Sequence, residues 1–198
     1  MTDHRHRVYP VFLRLDGMPV LVVGGGAVAA GKLDGLLAAG ARPTVVAPLI
    51  SAACRRDGVT VVERGFDDRD LDAARFVIAA ATPEVNRAVA TAAAARNLFV
   101  NAVDDPTSAS AFLGGVIRRG DVTVAISTGG AAPALAGLLR EALDAALPDE
   151  LDAWLELARA ERARWKLDGT PIAQRRARLL DALIAARGAG PDAARGSS

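Results

Sequence analysis

Residues 20–29 read Val-Leu-Val-Val-Gly-Gly-Gly-Ala-Val-Ala, and no other segment restricts the fold as tightly. An all-apolar run of four residues enters a glycine triplet, and a helical pattern starts at once. Such a run belongs to a strand buried on both faces, as in a parallel sheet covered by helices. Glycines at 24 and 26 with a small residue at 29 allow a tight turn and close approach of backbone to a pyrophosphate. The anion would then sit on the amides of a helix N-terminus. A glycine-rich turn without a ligand is the plainer reading. The strand-turn-helix context favours the nucleotide.

The segments that follow repeat this grammar. Ala27–Ala39 is expected as a helix with Val28, Leu33, Leu36 and Leu37 turned inward, stopped by Gly40. Strands are expected at Thr44–Ala47, Val59–Glu63, Arg75–Ala80 and Leu98–Val103, with a helix over Pro83–Arg96 carrying proline in its first turn. Strands alternating with helices predict parallel βαβ units, hence an α/β fold with a doubly wound, Rossmann-like sheet. The grammar changes after residue 110. Ala111–Ile117 and Val122–Ser127 read as a hairpin joined by Arg118-Arg119-Gly120-Asp121, and helical patterns follow near 133–147, 150–166 and 171–187. The first of these lines Leu135, Leu138, Leu139, Ala142 and Leu143 along one face, and the third does so with Ile172, Leu179, Leu180, Leu183 and Ile184. A hairpin and helices this small suggest a module that completes its core against a second subunit. The division expected is 1–110 nucleotide-binding, 111–148 dimerisation, 149–187 helical, and a disordered tail at 188–198.

Charge and cysteine content narrow the partners. The formal net charge is +1, which gives no reason to expect nucleic acid or a membrane surface as a partner. One cysteine, Cys54, allows no internal disulfide and no cysteine-based metal cluster, which suits a reducing cytoplasm. No apolar run is long enough to span a bilayer, and His4 and His6 read as surface residues of a frayed start.

Chemistry is expected beyond the carboxyl ends of the strands, where open α/β sheets bind their ligands. The second strand ends at Ala47-Pro48 without the acid that ordinarily holds the adenosine ribose, so NAD and NADP are not distinguished there. Thr82 follows the fourth strand and Asp104-Asp105-Pro106 the fifth. A carboxylate at that place is a candidate to take a proton while hydride leaves a substrate, or else to cap a turn before the proline. Ser127-Thr128-Gly129-Gly130 opens onto a helix at Pro133, either as an anion site or as a simple cap. Arg118 and Arg119 are candidates to meet an acidic substrate. Arg159, Arg162, Arg164 and Lys166 read more readily as a solvated face, and Trp154 and Trp165 as packing residues.

These residues carry a resemblance. Tyr9-Pro10-Val11-Phe12-Leu13, Val22–Ala29 with Lys32, Asn101-Ala102-Val103-Asp104, and Ala125–Gly130 with Pro133, Leu135 and Ala136 follow one another at the spacing of a known family. The chain resembles the precorrin-2 dehydrogenase domain of sirohaem synthases, including the free-standing bacterial enzymes and the yeast bifunctional enzyme. The resemblance covers roughly residues 9–145. It implies oxidation of precorrin-2 to sirohydrochlorin with NAD as cofactor, in a homodimer, with ferrous iron insertion as a further activity of some members. Carried over by position, it implies Gly24, Gly26 and Ala29 at the cofactor pyrophosphate and Asp104 as general base; Gly25, Ala27, Val28 and Thr82 are expected around the cofactor with them. It places Ser127 near the tetrapyrrole, and Arg118 and Arg119 suit a polycarboxylate substrate. It implies a Rossmann domain, an interlocking dimerisation region and a C-terminal helical region.

This chain departs from the family at Ala111 and Gly114, where phenylalanine and proline are frequent, and it has no histidine beyond His6 for chelatase chemistry. No residue is expected to bind metal. The rival reading is a non-catalytic NAD(H)-sensing regulatory module, supported by the missing ribose acid and the altered 111–114 stretch.

Overall fold

The structure, a computed structural model, describes residues 8–188. His4, His6 and the tail expected beyond Gly188 lie outside the described residues. The chain divides into two compact units, residues up to Gly114 with Ser127–Pro133, and Gly115–Ile126 with the residues from Ala134 onward.

The first unit is an α/β layer structure. Five strands, β1 (Pro19–Val23), β2 (Arg42–Ala47), β3 (Thr60–Glu63), β4 (Phe76–Ala79) and β5 (Val100–Ala102), form one sheet in the order β3-β2-β1-β4-β5. All four pairings are parallel, with Val22 opposite both Val45 and Ile78. Helix α1 (Ala27–Ala38) covers one face and α2 (Pro83–Ala95) the other. The alternation of β1 shows why its sequence is apolar throughout. Val20 and Val22 pack with Ala29, Leu33 and Leu36 of α1, while Leu21 and Val23 pack with Val89, Ala90 and Ala93 of α2. The strand order reverses between β1 and β4, so the switch point lies where the glycine triplet leaves the sheet.

That triplet is pressed between two other pieces of backbone. Gly24 has φ +124°, and a Cβ there would overlap the Ala80 carbonyl at the end of β4. A Cβ at Gly25 would overlap the Leu49 carbonyl and stand 2.9 Å from the Ile50 Cα. Three hydrogen bonds fix the junction: Gly24 N–H to the Val46 carbonyl at 2.9 Å, Ala80 N–H to Val23 at 2.7 Å, and Ser51 N–H to Gly25 at 2.9 Å.

Two expectations from the sequence are corrected here. Val28 is not inward-facing; it lies in the first turn of α1, half exposed, off the inner row formed by Ala29, Leu33 and Leu36. Residues 111–114 are not strand. The Ala111 amide instead donates to the Val100 carbonyl at 3.0 Å and the Ala111 carbonyl accepts from Asn101 Nδ2 at 3.0 Å, so the segment closes along β5.

The second unit holds an antiparallel hairpin, β6 (Gly115–Arg119) and β7 (Val122–Ile126), and helices α3 (Pro133–Ala146), α4 (Leu151–Leu167) and α5 (Ile172–Gly188). Arg118 and Arg119 belong to β6 rather than to the turn, which consists of Gly120 (φ +51°) and Asp121. Trp165 is buried in this unit, in keeping with a packing role. The leucine face of α3 forms as expected but is uncovered: Leu135, Leu138, Leu139 and Leu143 are exposed, and Ala136 is the helix's one buried residue. No helix among the described residues is long and apolar enough to cross a membrane.

The crowding at Gly24 sets a stability test. Gly24→Ala combines a positive-φ residue with a backbone overlap, each costing about 1–3 kcal/mol. Urea denaturation is expected to show a loss of about 2 kcal/mol or more, and an unchanged midpoint would contradict the packing described.

Candidate functional site

The carboxyl ends of β1, β4 and β5 bring three of the sequence candidates to one edge of the sheet. The first is the glycine turn. Gly26 is the N-cap residue of α1, with φ −90° and ψ −169°, and no side chain caps the helix. A Cβ on Gly26 would meet nothing within 4 Å, in contrast to Gly24 and Gly25. The glycines therefore divide their roles: two let backbones close up, and the third keeps clear the space in front of the helix. Amides of the first helical turn have no carbonyl of their own helix to bond, and they carry the positive end of its dipole. Open ground before uncapped amides fits a pyrophosphate, and Ala27, Val28 and Ala29 are the residues of that turn.

Support for this turn comes from a residue that spacing alone did not mark. Cys54 is fully buried in a short 3₁₀ turn, Ala52–Cys54, and its Sγ donates weakly to the Gly25 carbonyl at 3.6 Å. After β2 the chain continues as Pro48 and an exposed Leu49, so no carboxylate stands at the end of that strand. Glu63, the register partner of Ala47, closes β3 and is ion-paired with Arg55.

The second place is Thr82, the exposed N-cap of α2, which also makes no side-chain cap. The third is the Asp104–Asp105 pair, and here the structure separates two residues that read alike in sequence. Asp105 is the turn cap. Its carboxylate accepts from the Thr107 hydroxyl and the Ser108 hydroxyl, each at 2.6 Å, and from both amides at 3.2 Å. Asp104 is exposed and has no hydrogen-bond or ion-pair partner among the described residues. It also holds φ +58°, a left-handed conformation uncommon outside glycine, asparagine and aspartate. A free carboxylate on a constrained turn at the strand ends is available for proton transfer, while its neighbour is consumed by the turn.

The Ser127–Gly130 turn is drawn to the same segment. Gly129 and Gly130 both have positive φ, and Gly130 lies so close to Phe112 and Pro106 that a Cβ would stand 3.1 and 3.3 Å from them. Within the turn, the Ser127 hydroxyl accepts from the Gly129 amide at 3.1 Å, and the Thr128 hydroxyl accepts from the Ala132 amide at 3.2 Å. Ser127 keeps its own O–H to donate.

The two arginines of β6 differ by strand alternation. Arg119 faces α3, where its guanidinium pairs with Asp144 at 2.8 Å, whereas Arg118 is exposed without an ion-pair partner among the described residues. The basic stretch of α4 is in part spoken for: Arg159 pairs with Asp121 and Glu156, and Arg164 with Glu161. Sequence reading also missed Asn86. It occupies the inward stripe Asn86, Val89, Ala90, Ala93 of α2 and is buried, and its signal was a polar residue at the i, i+3, i+4, i+7 positions of an apolar face.

An α/β sheet whose switch point carries an uncapped glycine-helix junction defines a dinucleotide-binding protein. A family model of NAD(P)-binding domains matches residues 11–115, and the model of the central region of sirohaem biosynthesis proteins matches residues 119–146. Siroheme synthase 1 of Aeromonas salmonicida is 42% identical over 192 residues, covering 94% of this chain and 41% of that protein. The siroheme synthase of Gluconacetobacter diazotrophicus is 44% identical over 164 residues, covering 78% of this chain and 35% of its own length. This chain thus spans about two fifths or less of those relatives. Among solved structures, SirC, a precorrin-2 dehydrogenase, superposes with a TM-score of 0.70 at 26% identity, covering 88% of each chain. The chain belongs to the putative NAD(P)-binding family whose model matches residues 11–115, and the segment that follows matches the central region of sirohaem biosynthesis proteins.

The division between the two aspartates is open to titration. Hydrogen bonds from the Ser108 and then the Thr107 hydroxyl hold the Asp105 carboxyl at about 2, below the ordinary aspartate value of about 3.9. A depressed folded-state value means this turn adds stability above pH ~4 that is lost as pH falls toward ~2. Carboxyl-carbon NMR is expected to show the Asp105 midpoint near 2; a midpoint near 4 would contradict the cap.

Proposed function

We propose that this chain oxidises precorrin-2 to sirohydrochlorin, with NAD as the hydride acceptor. The observation that carries this reading is the contrast at the end of β5, where Asp105 is bound into its turn and Asp104 is left free on a constrained backbone. The family supplies the substrate class. SirC is a precorrin-2 dehydrogenase, and the most similar relatives described above are sirohaem synthases.

The residues present fit the cofactor by the clear ground at Gly26 and the uncapped first turn of α1. NAD bound there would supply the two-electron acceptor, so that precorrin-2 and NAD⁺ yield sirohydrochlorin, NADH and a proton. Gly24 and Gly25 set the turn, and the amides of Gly26 to Ala29 would hold the pyrophosphate with Val28 and Thr82 flanking it. With no acid at the end of β2, the ribose would be met by backbone or by other groups. Asp104 takes a proton from the macrocycle as hydride leaves it, its exposed carboxylate being engaged by no donor among the described residues. Ser127 donates its hydroxyl to the tetrapyrrole, and Arg118, on the face of β6 opposite the Asp144-paired Arg119, meets substrate carboxylates.

The protein acts as a homodimer in the cytoplasm. The support for dimerisation is the uncovered leucine face of α3, within the 111–148 region, since four exposed leucines on one helix call for a partner surface.

The test is turnover with purified protein, precorrin-2 and NAD, followed by sirohydrochlorin absorbance. Asp104→Asn is expected to lower kcat by about 10²–10⁴-fold, the usual contribution of a general base, with NAD affinity unchanged. Parent-like turnover in the variant would remove Asp104 from the mechanism.

A further inference from the structure

We propose that Asn86 is a positioning residue for the reaction, acting through Asp104; this rests on the reading of Asp104 as base. Asn86 is 3% exposed and lies within hydrogen-bond reach of two loops at once. Its Oδ1 accepts from the Ala81 amide at 2.9 Å, at the end of β4, and its Nδ2 donates to the Val103 carbonyl at 3.4 Å, at the end of β5. One side chain on α2 therefore ties together the two strand-end segments that carry Thr82 and Asp104.

The second bond bears directly on Asp104. The Val103 carbonyl and the Asp104 nitrogen share one peptide plane, so the tilt of that plane and the φ of Asp104 change together. The Val103 amide donates to Ala79 at 2.9 Å on one side, and Asn86 grips the carbonyl on the other. A left-handed φ of +58° in a residue with a Cβ persists only where its surroundings hold it. Asp104 has no side-chain partner among the described residues, so the hold is exerted on its backbone. Releasing the Val103 carbonyl lets the plane turn and moves the carboxylate away from the substrate's proton.

Asn86→Asp separates this role from plain support, because it keeps the acceptor for Ala81 N–H and replaces the donor facing Val103. The expected result is a kcat about tenfold to a hundredfold lower, as for a displaced catalytic group, with the Kd for NAD within twofold of the parent. The decisive readout is a double-mutant cycle with Asp104→Asn. If Asn86 acts through Asp104, adding Asn86→Asp to Asp104→Asn costs less than twofold more. Full additivity, or parent-like kcat in Asn86→Asp alone, overturns the positioning role while leaving the base in place. Parent-like kcat in Asp104→Asn overturns the base reading itself, and this proposal with it. Should Asn86→Asp fail to fold, Asn86→Ser carries the same cycle and the same outcomes.

Discussion

The contact on which the rest depends is the approach of the Gly24–Gly25 backbone to the carbonyls of Ala80 and Leu49. No side chain fits in either gap. The constraint therefore decides how β1 leaves the sheet, where β4 ends beside it, and how the segment after β2 folds back. It also aims α1, whose N-terminus then stands at the point where the strand order reverses. Packing on both faces of β1 fixes the strand, and the glycines convert its end into a turn that leaves amide groups open. Stability and ligand binding meet at adjacent residues, with Gly24 and Gly25 given to the first and Gly26 to the second.

At the other end of the site, the same kind of division falls on two aspartates. A turn with several hydroxyl donors needs an acceptor, and Asp105 supplies it. Its neighbour is thereby left without local partners and is displayed by a backbone conformation that few residues tolerate. Asn86 links this display to the end of β4 from beneath. The chemistry asks for a free carboxylate, and the structure frees one by engaging the other.

Much of this was legible in the sequence because apolar periodicity reports burial directly. The parallel sheet, the order of strands and helices, and the stop at Gly40 follow from that pattern, and Leu33 and Leu36 are inward as expected. Val28 reads as inward only by its apolar character, for the inner row of α1 runs Ala29, Leu33, Leu36 and Val28 lies off it. Residues 111–114 read as strand from their apolar content, but Ala111 bonds to Val100 and Asn101 of β5 outside the ladder and Leu113 is left exposed. Asp104 and Asp105 are equivalent as letters. They differ only once a positive φ and two downstream hydroxyls are known. Asn86 stands out in sequence only as a polar residue in an apolar stripe; its bond to Val103, like that of Cys54 to Gly25, reaches backbone distant in sequence, and no local pattern announces such partners. The leucine stripe of α3 was legible as a face; its exposure was not, since a stripe reads the same whether its partner is in the chain or in a second copy.

The central claim is that the clear ground at Gly26 and the first-turn amides of α1 receive the cofactor's pyrophosphate. The direct measurement is an NAD titration followed by backbone amide NMR. The account predicts that the largest shifts fall on the amides of Gly26, Ala27, Val28 and Ala29. Saturable NAD binding that leaves these four amides unmoved would contradict it.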